Sequence, residues 1–399
     1  MRGAVDAGLR PLLFFFDAPA WAEGPGRPRE SKAAPAGSWK PSPQALSDLA
    51  FAAATRYSGR YLDPVAQVTL PRVRNWQTWN EPNLTTYLTP QWKKRRGHIV
   101  PASPSWYRAM QNAFYVSLKA VDPTNLSVTA GTAPYGDPYR GRRRMQPALF
   151  TREMLCVRDR VRLRAFRCAD APIRFDALAH HPYPLGSPRR HAVNPDDVAI
   201  PDLAKLTRPL AAARRAHKIL PVGPKQLWAT EISWESDPPD PAGIPVQLHA
   251  RYLEGALFTL WKQGASVVVW QLLRDGAKGP GYEFTYQSGI YQRAENVAED
   301  TPKPSFTAFS FPFTAYIYGG KATLWGIAPA PGPVVVEQRA GGAWRSLVKL
   351  EAGQNRVFVA HRRLRVGSRL RARQGSEASL AWRVISGRNS PVTGGRPPG

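Results

Sequence analysis

Arg72-Val73-Arg74-Asn75-Trp76-Gln77-Thr78-Trp79-Asn80-Glu81-Pro82-Asn83 is the stretch on which the reading of this chain turns. Val73 to Trp79 reads as a short strand with two Trp, closed by Asn80-Glu81-Pro82. A carboxylate and an amide at a strand end sit where an α/β protein keeps its chemistry.

Working outward, five more segments read as strands: Leu12 to Phe16, Leu126 to Thr132, Phe175 to His180, Gln226 to Thr230 and Ser266 to Leu273. Most are apolar on both faces, as a buried parallel sheet requires. Helical patterns lie between them. Ser42-Pro43 opens one through about Tyr57, with Pro in the first turn. Ser105 to Val121 carries Tyr107, Met110, Phe114, Leu118 and Val121 at a helical period. Pro147 to about Cys156, Ile200 to Ala216 and Val246 to Gln263 continue the theme, the last stopped by Gly264. No strand is followed by a glycine-rich phosphate loop, and polar residues gather at several strand ends. The expected fold is a (β/α)8 TIM-type barrel rather than an open nucleotide-binding sheet.

Trp228-Ala229-Thr230-Glu231 ends a strand three after the first motif, 150 residues from Glu81. In a barrel the two carboxylates face each other across one mouth. That pair suits glycosidic cleavage, with Glu81 as acid/base and Glu231 as nucleophile. Glu235, four residues on, is the competing partner. His180-His181-Pro182-Tyr183 follows the strand between. Adjacent strand residues point oppositely, so His181, with Tyr183, is expected to face the site and orient the nucleophile. Trp270 in the last strand is expected to stack on a sugar ring, and Asp17 and Trp79 to line the flanks. No further His stands at ligand spacing, so neither metal nor cofactor is expected.

These motifs together look like glycoside hydrolase clan A, with families 39 and 5 nearest. The resemblance covers about residues 1–318. It implies a retaining, double-displacement hydrolase with Glu81 as acid/base, Glu231 as nucleophile and Asn80 on the sugar 2-hydroxyl. Clan members also keep a strand-end Arg near the nucleophile and further contacts on the first two strands. Six strands are visible, and Val5-Asp6-Ala7-Gly8 reads as a helix end leading into a strand. The barrel is therefore expected to lack roughly its first two βα units. A non-catalytic glycan-binding protein on the same scaffold is the alternative.

Pro304 to Tyr318 reads as a last helix. Short strands with Gly-rich turns follow, read as a small β-sandwich at 319–385. Residues 386–399 are rich in Gly, Pro and Arg and are expected to be disordered.

The chain has 399 residues, 55 Lys and Arg against 29 Asp and Glu, and a formal charge of +26. The basic residues do not interleave with aromatics in one stripe, which speaks against nucleic acid as partner. Lys93–Arg96, Arg140–Arg144 and Arg189–Arg190 all follow strand ends, so a basic rim attracting an acidic oligo- or polysaccharide is an expectation. Cys156 and Cys168 are read as a disulfide, which places the chain in an oxidising, secreted setting. No apolar run is long enough to span a membrane.

Overall fold

The computed structural model describes residues 1–28, 34–168, 171–277 and 279–387. Six strands form the central sheet: β1 (Leu12–Phe15), β2 (Asn75–Thr78), β3 (Leu126–Thr129), β4 (Ala177–His180), β5 (Gln226–Ile232) and β6 (Ala265–Trp270), in chain order. Neighbours from β1 to β5 pair in parallel. Phe15 lies level with Thr78, and Thr78 with Thr129. The loops after β1, β2 and β3 therefore leave from one edge of the sheet.

Gln77 on β2 donates through Nε2 to Thr230 Oγ1 on β5 at 3.1 Å, and the bond is buried. In a flat sheet, strands three apart stand about 14 Å from each other. The side-chain bond therefore requires a curled sheet. Val128, Ala177, Ala179 and Trp228 fill its core, with Leu12, Leu126 and Val267 against them.

The helices sit where the periodicity predicts. α1 (Arg2–Asp6) ends before Gly8, whose φ of +76° turns the chain toward β1. α2 (Pro43–Arg56) starts on Ser42, whose side chain accepts from Ala45 N–H. α3 (Ser103–Val121) buries Tyr107, Met110, Phe114 and Leu118. Tyr107 is tied to the sheet, its hydroxyl donating to Thr78 O at 3.2 Å and accepting from Ala130 N–H at 2.6 Å. α4 (Pro147–Met154) and α5 (Ala204–Arg215) follow. Cys156 and Cys168 form a disulfide closing the segment after α4.

The chain divides into two compact units. The first takes Met1–Pro182, Ala192–Glu231 and Ala265–Val267. The second takes Tyr183–His191, Ile232–Gly264 and the chain from Val268 onward. It contains α6 (Val246–Lys262) and α7 (Pro304–Ser310). The helix expected over Pro304 to Tyr318 is corrected here. It stops at Ser310, and Phe313–Tyr318 is strand β7. Pro312 cannot continue a helix, and the Thr, Ile and Tyr that follow favour extended backbone.

The strands β8 (Lys321–Ile327), β9 (Gly332–Ala340), β10 (Ala343–Ala352), β11 (Val357–Arg362) and β12 (Arg369–Gln374) complete two sheets. One runs β11-β8-β7 and ends on the short strand Ile385–Ser386. The other runs β10-β9-β12. Leu324, Phe358, Val336, Leu370 and Trp382 lie in one shared core. Phe258 of α6 joins it, stacking on Tyr316 at 5.2 Å. Ser386 is thus a strand residue; the rest of the tail expected to be disordered, from 388, lies outside the described residues.

Candidate active site

The Asn-Glu-Pro turn after β2 is held in a backbone shape that side chains resist. Trp79 has φ +71° and Glu81 φ +32°, both in the left-handed region. Such residues cost roughly 1–3 kcal/mol each and persist only where the surroundings impose them. Asn83 is the main restraint. Its Nδ2 donates to Ala133 O at 3.1 Å and Met145 O at 2.9 Å, while Oδ1 accepts from Ala133 N–H at 2.9 Å. Glu81 N–H donates to Gly131 O at 3.0 Å. Gln91 Nε2 donates to Pro82 O at 2.9 Å.

Glu81 and Glu231 meet at His181. The imidazole Nδ1 lies 3.0 Å from Glu81 Oε1 and 3.6 Å from Glu231 Oε2. One ligand atom from each of the three residues falls within 4.8 Å of the others. His181 is buried, while the Glu81 and Glu231 side chains keep 14% and 24% exposure. The site is therefore open to a substrate at the carboxylates. The ring sits nearer Glu81, so it orients the expected acid/base more directly than the nucleophile.

His180 points the other way. It is hydrogen-bonded to Thr132 Oγ1 at 2.8 Å and Val198 O at 2.9 Å. Burial pushes its pKa down to about 3, so it stays neutral and structural.

Two residues escaped the sequence reading. Gly131 is one: a Cβ there would lie 2.0 Å from His181 Nε2. The bare backbone makes room for the imidazole. Asn83 is the other, its role invisible without the loops it binds.

Trp79 was expected at the substrate. It is 3% exposed, and its Nε1 donates to Tyr87 O at 2.8 Å. It props the turn from within. Asn80 is 7% exposed beside it. Asp17 ends the turn after β1 with φ +59°, and partial desolvation raises its pKa. Trp21 beyond it is 79% exposed.

Tyr183, Trp270 and Glu235 belong to the second unit. The Tyr183 hydroxyl donates to Gln271 Oε1. Trp270 stacks with Trp234 at 6.0 Å, meets the edge of His249 at 5.3 Å and donates through Nε1 to Ser288 O at 2.9 Å. Glu235 faces Asp240 and is pushed up to about 7 by burial and that neighbour. Arg189, expected in the basic rim, donates to Ser386 O at 2.8 Å and covers the Tyr316 ring. Those contacts tie it to its own unit.

The Glu81-His181-Glu231 group also has the donor types of a cation site.

No protein-family model matches the sequence, and no curated protein does. Among solved structures the chain is similar to a family 39 glycoside hydrolase from the gut symbiont Bacteroides cellulosilyticus WH2. That match has TM-score 0.52 and 17% identity over 90% of this chain and 67% of that one. Another is the GH39 enzyme from Xanthomonas axonopodis pv. citri, with TM-score 0.47 and 14% identity over 91% and 79%. A monomeric β-xylosidase from Caulobacter crescentus CB15 follows, at 0.45 and 13% over 91% and 83%. The first of these shows the fold: this chain resembles a family 39 glycoside hydrolase in its backbone.

Proposed function

We propose that the chain is a retaining glycoside hydrolase acting on O-glycosidic bonds. The observation that carries this reading is the meeting of Glu81 and Glu231 oxygens, with His181, within 4.8 Å. Retaining enzymes hold their two carboxyl groups about 5–5.5 Å apart, and inverting ones about 6.5–9.5 Å, to admit a water. The crowding here favours direct attack.

In this reading a Glu231 oxygen attacks the anomeric carbon as the bond to the leaving oxygen breaks. Glu81 gives its proton to that oxygen. Water then displaces Glu231, and Glu81 takes the water's proton. His181 fixes the Glu81 carboxyl during both transfers. Asn80 contacts the sugar 2-hydroxyl. The curled sheet is six staves of an eight-stranded barrel, and the two C-terminal sheets are a sandwich. The disulfide supports an oxidising, extracellular setting for this activity.

The test is proton NMR of the first product formed from a panel of aryl glycosides. Retained anomeric configuration, abolished by Glu231→Gln, is the expected result. An inverted product, or turnover surviving Glu231→Gln, contradicts the reading.

A further inference from the structure

Cys156 and Cys168 pin a hairpin whose strands are Val157–Arg158 and Arg164–Ala165. Within it stand Arg158, Arg160, Arg162, Arg164 and Arg167, all exposed, against the single acid Asp159. Asp159 accepts from the Val161 and Arg162 backbone N–H groups at 2.8 and 3.0 Å. Among the described residues none of the five arginines has an ion-pair partner.

Arg158 stands directly opposite Arg164 in the antiparallel register. Like charges in that position are destabilising. Cys156, Asp159 and Leu163 also have φ of +59°, +67° and +49°. The hairpin therefore holds repelling charges on a resisted backbone under a covalent clamp. Arg158 covers the Phe166 ring at 4.3 Å, but among the described residues the Arg158–Arg164 repulsion has no acid between the pair, and an anion there would relieve it.

Two clefts flank the hairpin. One, of about 480 Å³, is lined by Arg140, Arg158 and Arg160 with Trp92 and Tyr139. Of the acids in its wall, Asp196 pairs with Arg152 at 2.7 Å, Asp137 pairs with Arg144 at 2.8 Å, and Asp159 is held by the Val161 and Arg162 N–H groups. Glu153 also lines it, and burial raises its pKa against the pull of Arg158 and Arg140. The second cleft, of about 330 Å³, adds Arg208 and Lys205 beside Arg160. Glu81, His181 and Glu231 line neither.

We propose that the disulfide-pinned arginine hairpin and its clefts bind a polysaccharide carrying carboxylate or sulfate groups, outside the Glu81–Glu231 site. Guanidinium forks match such groups bidentately. Trp92 and Tyr139 supply ring faces for the sugars. A disulfide persists in oxidising compartments and is rare in the cytosol and nucleus, where nucleic acids reside. The proposal stands whether or not the chain hydrolyses anything.

The test is titration of the full chain with heparin, polygalacturonate, dextran and double-stranded DNA at two salt concentrations. The hairpin variant carries Arg158→Ser, Arg160→Ser, Arg162→Ser and Arg164→Ser with the disulfide intact. The control removes equal charge from the second unit, as Arg362→Ser, Arg363→Ser, Arg365→Ser and Arg369→Ser. Heparin or polygalacturonate should bind, more weakly at high salt, and dextran should not. The hairpin variant should lose about tenfold in affinity or more, and the control under about twofold. Glu81→Gln should bind as the parent does. Equal losses in hairpin variant and control overturn the proposal, since charge alone then explains binding. DNA binding tighter than either polysaccharide through the same hairpin also overturns it. Arg160→Glu, a single exposed change, repeats the test should the fourfold variant fold poorly.

Discussion

Gly131 leaves empty the space that the His181 imidazole fills: a Cβ there would stand 2.0 Å from Nε2. The same residue's carbonyl accepts the Glu81 backbone N–H at 3.0 Å. One glycine thus sets both the general acid/base candidate and the ring that orients it.

Gly131→Ala should push His181 away from Glu81. An ångström of misplacement at a catalytic group can lose about 100-fold in rate. We expect kcat to fall by about that factor, with KM and the circular dichroism spectrum little changed. Loss of the fold instead would make Gly131 a packing residue only.

Glu81→Gln and Glu231→Gln should part company on leaving groups. Glu231→Gln should abolish turnover of every substrate. Glu81→Gln should spare aryl glycosides with acidic phenols and hurt poor leaving groups by about 100-fold or more, since only the latter need the proton. Kinetics across a phenol series checks this, and equal losses would reverse the assignment.

Asn83→Ala should destabilise the first unit. It strips three buried partners from the turn, at about 1–3 kcal/mol for each group left unpaired. A thermal melt should show the loss, and any remaining activity should fall with it as Glu81 is released. An unchanged melting temperature would mean that the turn holds itself.

Glu254 sets a pH trend in the second unit. It is fully buried beside Arg251 at 2.8 Å, and burial pushes its pKa up to about 8. A carboxyl raised in the folded state is protonated in both states at low pH. Its ionisation opposes folding progressively as pH rises from the unfolded value of 4.5 toward about 8. The stability lost across that window is on the order of 5 kcal/mol at most. Glu254→Gln should flatten the fall in melting temperature over it, and an unaltered slope would place the titrating group elsewhere.

The strands were legible because parallel strands in a sheet's middle leave short apolar runs, as in Leu227-Trp228-Ala229, all buried. The carboxylates were legible because each sits at the end of such a run. His181 was separable from His180 by alternation alone. Gly131 was not, because it falls inside the segment Leu126 to Thr132 that reads as strand, and its role shows only once the imidazole is placed over it. Trp79 misled because a Trp beside a catalytic motif can stack on sugar or prop a turn, and only burial decides. Phe313–Tyr318 looked helical because its aromatics continued those of α7, whereas Pro312 had already ended the helix.

The central claim is that Glu231 becomes covalently joined to the sugar. Intact mass spectrometry and peptide mapping after incubation with a panel of 2-deoxy-2-fluoro glycosides test it most directly. The account predicts a single added sugar on Glu231, absent from Glu231→Gln and formed more slowly in Glu81→Gln with poor leaving groups. A sugar carried on Glu235 or any other residue, or turnover with no adduct at Glu231, would contradict it.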